Sequence, residues 1–251
     1  MQDRYAGDVG DYGKLGLLKA VSETGLRVGI NWYAVIPPRA EKNADGSFKR
    51  KDGGYPIPKK DADCDPELAE ALNAIFEKRE NRSVAELEEL MRPYIAAFYS
   101  VPVPVKNRAA WHGEAVKALS DCDVIFMDPD NGLIPEKTKP THAKGVKYVF
   151  DEEITAFLEA GKSVIVYQHR QRVPEERYFA ELAERISRMG CSGAVPVVTF
   201  SRHTVRDYFI IPANDEHRQK LLTAVNGRSG ALRLGRVRLI DTAVPRNEEQ
   251  N

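Results

Sequence analysis

The chain has 251 residues, 42% hydrophobic and 29% charged, with 37 basic side chains against 37 acidic ones and a formal net charge of zero. That length suits one large domain, or one domain with an insert. The balance of charge excludes a global basic field, so any contact with nucleic acid must use a local patch. No run approaches the roughly 18 consecutive apolar residues of a membrane span, and the polar, acidic opening "MQDRYAGDVGDYGK" is not a signal peptide. Cys64, Cys122 and Cys191 are too few and too scattered for a disulfide framework or a cysteine zinc site. A reducing cytoplasm is the expected location, with no membrane partner.

Taken in chain order, "GKLGLLKAVSET" (13–24) has helical periodicity and "VGINWYAVI" (28–36) reads as a buried strand. Residues 37–65 are rich in Pro, Gly, Lys and Asp and read as a long surface loop. Two amphipathic helices are expected at about 65–80 and 83–98, forming a helical insert over about 61–98. "DVIFMD" (123–128) and "SVIVYQ" (163–168) are apolar enough for strands covered on both faces. Between them "EEITAFLEAG" (152–161) predicts a helix closed by Gly161. "PEERYFAELAERISRMG" (174–190) predicts a helix with Pro174 at its start and Gly190 at its end. "AVPVVTF" (194–200) and "DYFIIP" (207–212) are separated by too few residues for a crossover helix, so they are expected to be antiparallel neighbours. "NDEHRQKLLTAV" (214–225) carries an Asn-Asp cap, and "ALRLGRVRLID" (231–241) is read as a hairpin.

The sum is an α/β sandwich around a mostly parallel sheet, with a reversed strand near the C-terminus. A single domain is expected over 1–245 and a frayed tail over 246–251. Ligands of such sheets sit beyond the carboxyl ends of the strands. That places Asp128, Pro129, Asp130 and Asn131 of "MDPDNG" at the functional edge, with Gln168 and His169 one strand later. "DPDNG" is also a set of ordinary turn residues, and both readings stand at this level. As a site, Asp128 can accept a hydrogen bond from a substrate amine, or Asp128 and Asp130 can hold a hard divalent cation.

"YQHRQR" (167–172) offers His169 as a base or ligand and Arg170 or Arg172 as phosphate holders, with Arg202, His203 and Arg206 able to add to the patch. As a solvated surface loop it would need no such role. Gly7, Gly10 and Gly13 read either as a flexible arm or as a glycine-rich approach to an anionic ligand at a helix N-terminus, with Lys14 adding charge. The segment is not a P-loop, since Leu15 stands where Ser or Thr is needed. No nucleophile elbow is present, and Trp32, Tyr33 and Trp111 are expected in the core.

In layout the chain resembles the bacterial large-subunit ribosomal RNA adenine-N6 methyltransferases. The motifs that carry the resemblance are Ala6-Gly7-Asp8-Val9-Gly10-Asp11-Tyr12-Gly13-Lys14 before the first helix, an insert after the first strand, and Asp128-Pro129-Asp130-Asn131 where that family has Asp-Pro-Pro-Tyr. The resemblance implies a Rossmann-like methyltransferase fold, S-adenosylmethionine as cofactor and a nucleic acid or nucleotide as substrate. It implies that Asp128 and the Pro129 carbonyl orient the target amine, and that Asp8, Asp11 and Lys14 lie at the cofactor. The sequence departs from the family in three places. No Gly-x-Gly follows the first strand, no clear acidic strand end for the cofactor ribose lies between 99 and 123, and Asn131 stands at the position of the base-stacking aromatic. An alternative class is a Mg- or Mn-dependent nuclease or phosphodiesterase using Asp128, Asp130 and His169. A third is a non-catalytic scaffold on the same fold. Every enzyme reading requires Asp128, His169 and segment 6–14 to meet in one pocket.

Overall fold

The computed structural model describes residues 1–35, 53–135 and 143–242, so most of the predicted loop over 37–65 and the predicted tail over 246–251 lie outside the described residues. In chain order the elements are α1 (Val9–Ser22), β1 (Val28–Asn31), α2 (Lys59–Ala62), α3 (Pro66–Phe76), α4 (Val84–Met91), β2 (Ile95–Tyr99), α5 (Arg108–Ala118), β3 (Val124–Met127), β4 (Gly132–Leu133) and β5 (Tyr148–Val149). They continue with α6 (Asp151–Glu159), β6 (Ser163–His169), α7 (Glu175–Arg188), β7 (Ala194–Arg202), β8 (Thr204–Ile211), α8 (Asp215–Gly227) and β9 (Arg236–Asp241).

Seven strands form one sheet in the order β2-β1-β3-β6-β8-β7-β9. The first four run parallel, and β8 is inserted antiparallel between β6 and β7. The chain leaves β1 for β2 on one side and later returns to β3 on the other. The reversal of direction makes the carboxyl ends of β1 and β3 the natural ligand crevice of the sheet. Strands β1 and β3 are buried at every position, which explains their unbroken apolar sequence.

Alternate residues of β3 feed two cores. Val124 and Phe126 pack with α1, α3, α4 and α8, whereas Ile125 and Met127 pack with α5, α6 and α7. The architecture is therefore a mixed α/β sandwich with helices on both faces, compatible with a Rossmann-like fold. Trp32, Tyr33 and Trp111 are buried in these cores, and the three cysteines are free. Among the described residues no helix is long and apolar enough to cross a membrane.

Three sequence expectations are corrected. The first helix begins at Val9, not Gly13, capped by Asp8, whose Oδ1 accepts from the amides of Gly10 and Asp11. Gly10 and Gly13 are thus helical residues, and Gly7 lies in the turn before the helix with φ +81°. A β-carbon at Gly13 would lie 2.7 Å from the Phe200 ring, and one at Gly16 would lie 2.6 Å from the Ala231 β-carbon. Each glycine costs about 1 kcal/mol in helix propensity against alanine. Burial of Val9, Leu15, Leu17, Leu18 and Val21 contributes about 1.5–3 kcal/mol apiece and outweighs that loss.

Second, the helix predicted over 83–98 stops at Met91. Pro93 has no amide to continue it, and Ile95–Tyr99 instead become the edge strand β2, paired parallel with β1. Third, 231–241 is not a hairpin. A 3-10 turn over Gly230–Leu234 delivers β9 to the far edge, antiparallel to β7.

His112 on α5 sits in the second core, edge-on to Phe157 at a 5.2 Å ring separation, with no well-formed hydrogen bond at either ring nitrogen. Burial, assisted by Arg108, holds its pKa below the ordinary 6.5 against the pull of Glu153. The folded state thus resists a proton that the unfolded chain accepts, and stability falls as pH drops below about 6.5. His112→Leu is expected to flatten that acid limb between about pH 7 and about pH 5 while leaving neutral stability within about 1 kcal/mol. Urea denaturation of the two proteins at several pH values checks this.

Candidate active site

The strand β3 extends one residue past its last regular pair, as the Asp128 amide donates to the Asn31 carbonyl at 3.0 Å. Pro129 then turns the chain across the crevice. The turn is fixed by backbone bonds, from the Asn131 amide to the Lys147 carbonyl and from the His169 amide to the Asn131 carbonyl. Gly132 follows with φ +107°, and a β-carbon there would lie 2.2 Å from Gln168 Oε1. That oxygen instead accepts from the Leu133 amide at 2.8 Å. The glycine of "DPDNG" is required by this close approach.

On the opposite wall, α1 presents Asp11 and Lys14. Lys14 Nζ is buried between Asp11 Oδ1 at 2.7 Å and Asp128 Oδ2 at 2.8 Å. Burial works against its charge, but the two carboxylates more than offset that and hold the ammonium above its ordinary pKa. Burial raises Asp128 and Asp11, with Lys14 only partly offsetting it. One cation is thus shared by two desolvated carboxylates. Asp8 is raised by the same cause, with Arg206 Nη2 3.8 Å away. The nitrogen of Met1 donates to the carbonyls of Trp32, Tyr33 and Asp128 at 3.0–3.2 Å, across the ends of β1 and β3. Asp130 takes Gln2 Nε2 at 2.6 Å and thereby pins the N-terminal segment to the turn.

These walls enclose a cavity of about 330 Å³, at the small end of the range for ligand sites. It is lined by Asp8, Asp11, Lys14, Asp128, Pro129, Asp130, Asn131 and His169, the whole of the sequence-predicted set except its arginines. The requirement that Asp128, His169 and segment 6–14 share one pocket is met. His169 stands exposed at the rim. Partial burial, then Arg206 and Arg172, hold its imidazole below the ordinary 6.5, so it is neutral at physiological pH. Burial pushes the Tyr167 phenol up to about 12. Two lining atoms, Arg4 Nε and Thr204 Oγ1, are buried without a hydrogen-bond partner.

The expected phosphate arginines are corrected. Arg170 is committed to Asp207 at 2.6 Å and Glu175 at 2.7 Å, and Arg202 to Asp61 at 2.6 Å. Arg172 is exposed and lies outside the cavity lining. Among the described residues, the cationic side chains that do face the cavity are Arg4, Lys14, Lys147 and Arg206. Sequence reading passed over Arg4, Lys147 and Tyr167, and named Arg206 only as an addition to the patch. One signal was the arginine embedded in the apolar run "TVRDYFII", which a buried strand carries only for a purpose.

For the metal reading, Asp128 and Asp130 already spend oxygens on Lys14 and Gln2. Among the described residues, no group of three or more His, Cys, Asp or Glu is arranged to hold a metal ion.

No family model matches the chain, and no curated protein matches it. A solved structure similar to it is that of protein LPL1258 from Legionella pneumophila str. Philadelphia 1, assigned to family model DUF519. The alignment covers 94% of this chain and 98% of that one, with 11% identity and a TM-score of 0.39.

Proposed function

We propose that the chain is a methyltransferase-like enzyme acting on a nucleic acid or nucleotide, with the cavity at the ends of β1, β3 and β6 as its active site. The observation that carries this reading is the convergence of Asp8, Asp11 and Lys14 with Asp128-Pro129 and His169 around one cavity at the reversal point of the sheet. S-adenosylmethionine fits the charge of the lining: its ammonium suits Asp8, whose Oδ2 keeps Arg206 only at 3.8 Å, and its carboxylate suits Arg4, Lys147 and Arg206. When bound, it supplies a methyl group to a nucleophilic nitrogen.

The remaining work falls to the chain. Lys14 holds Asp128 Oδ2 and fixes the carboxylate plane, so the other oxygen and the Pro129 carbonyl can accept the two hydrogens of a target amine. His169, neutral at the rim, can take up a released proton. Pro129 makes the turn stiff enough to hold that geometry.

The metal-dependent reading requires Asp128 to exchange a buried ammonium for a cation and is less well served. Isothermal titration with S-adenosylmethionine and S-adenosylhomocysteine tests the proposal. A heat saturating near one ligand per chain is expected with either. Absence of heat with both at high protein concentration overturns it.

A further inference from the structure

At the mouth of the cavity, Tyr55 and His203 stack with ring centroids 4.0 Å apart and planes within 5°. Tyr55 is nonetheless 47% exposed, with the imidazole stacked on one ring face. Both partners are built in place. The Tyr55 carbonyl accepts from the Val9 amide at the start of α1, at 2.9 Å. Gly53 and Gly54 lie so close to the Tyr5 ring and the Asp8 side chain that β-carbons there would come within 2.3 Å and 2.6 Å. His203 forms the tip between β7 and β8 with φ +60°, in the left-handed region that histidine enters more readily than most side chains. The paired Arg202–Asp61 contact beside it holds that tip down. Tyr55, Thr204 and Arg206 line the same cavity as Asp128, and Arg4 and Lys147 add positive charge to it.

A flat, pre-positioned aromatic face beside cations is what an unpaired base and its phosphates recognise. A base inside a duplex is stacked and paired, and its amine cannot enter a cavity of this size. We propose that the exposed ring of Tyr55, backed by His203, is a stacking subsite for a nucleobase of single-stranded nucleic acid, next to the nucleotide whose amine reaches Asp128. This rests on the reading of the cavity as a nucleic-acid-modifying site.

The test is fluorescence anisotropy with a short fluorescein-labelled oligoadenylate, alone and in a duplex, with S-adenosylhomocysteine titration in parallel. Tyr55→Ala is expected to weaken single-strand binding about tenfold. Tyr55→Phe, which keeps the ring, is expected to stay within about twofold of the parent. His203→Gly keeps the positive φ, removes the backing ring and is expected to weaken binding several-fold. The parent should prefer the single strand to the duplex, and any change in S-adenosylhomocysteine affinity should be smaller than the change in oligonucleotide affinity.

The subsite is overturned if Tyr55→Ala binds like the parent, or if the parent binds no single strand or prefers the duplex. If the parent ignores S-adenosylhomocysteine yet Tyr55→Ala loses the oligonucleotide, the methyl-transfer reading fails and the stacking subsite stands.

Discussion

Lys14→Met is expected to lower the unfolding free energy by about 3–5 kcal/mol, because it leaves Asp11 and Asp128 buried without their shared cation. Urea denaturation at neutral pH measures it. The pH dependence gives a second readout. Both carboxylates titrate above the ordinary 3.8, chiefly through burial. A carboxyl raised in this way contributes stability below its unfolded pKa and loses it as pH rises through the folded value. Removing Lys14 raises both further, so the deficit should be largest at neutral pH and shrink on acidification toward about pH 4. Adding Asp11→Asn and Asp128→Asn to Lys14→Met should recover part of the loss. A deficit below about 1 kcal/mol in the single variant would show that Lys14 is not the counter-ion of this wall.

Arg170→Met is expected to be comparably damaging, at about 3–5 kcal/mol, although Arg170 follows directly on the candidate base His169. Asp207 is fully buried and takes Arg170 Nε at 2.7 Å and Nη2 at 2.6 Å, with Thr199 Oγ1 also donating to it at 2.7 Å. The other arm of the guanidinium reaches Glu175, which Arg236 and Arg238 also hold. One side chain thus joins the end of β6 to β8, α7 and β9. A double-mutant cycle with Asp207→Asn should return a coupling above about 1 kcal/mol. S-adenosylhomocysteine affinity of the folded fraction should stay unchanged, which separates a structural arginine from a phosphate-holding one.

The sequence carried the sheet well because β1, β3 and β6 are buried on both faces and read as plain apolar runs. The antiparallel placement of β7 and β8 was equally plain, since six intervening residues cannot make a crossover. The start of α1 was hidden because its glycines, chosen for contact with Phe200 and Ala231, mimic loop composition. Strand β2 was hidden because it follows closely on a helix and only its end residues, Ile95 and Tyr99, are buried, so its pattern runs on from the helical one.

At the site, Asp128 and His169 were legible from strand-end position alone. The arginines were not, because sequence cannot tell a cation that faces a cavity from one consumed by a buried carboxylate elsewhere in the chain, as Asp207, 37 positions on, consumes Arg170 and Asp61, 141 positions back, consumes Arg202. Asp130 is a similar case. It resembled a metal ligand until the structure placed Gln2 against it.

Among the described residues, eight of the twenty that line the cavity come from the first fourteen positions, and Lys14 meets Asp128 across 114 positions of chain. The cavity therefore exists only when α1 is docked on the completed centre of the sheet. Any molecule held there binds the native state and not the unfolded one, and so stabilises the whole protein by RT ln(1 + [L]/Kd). Occupancy at one hundred times Kd corresponds to about 2.7 kcal/mol. The melting temperature of this chain is thus itself a reporter of what its cavity accepts, and it answers whichever compound is offered without an assay for the reaction.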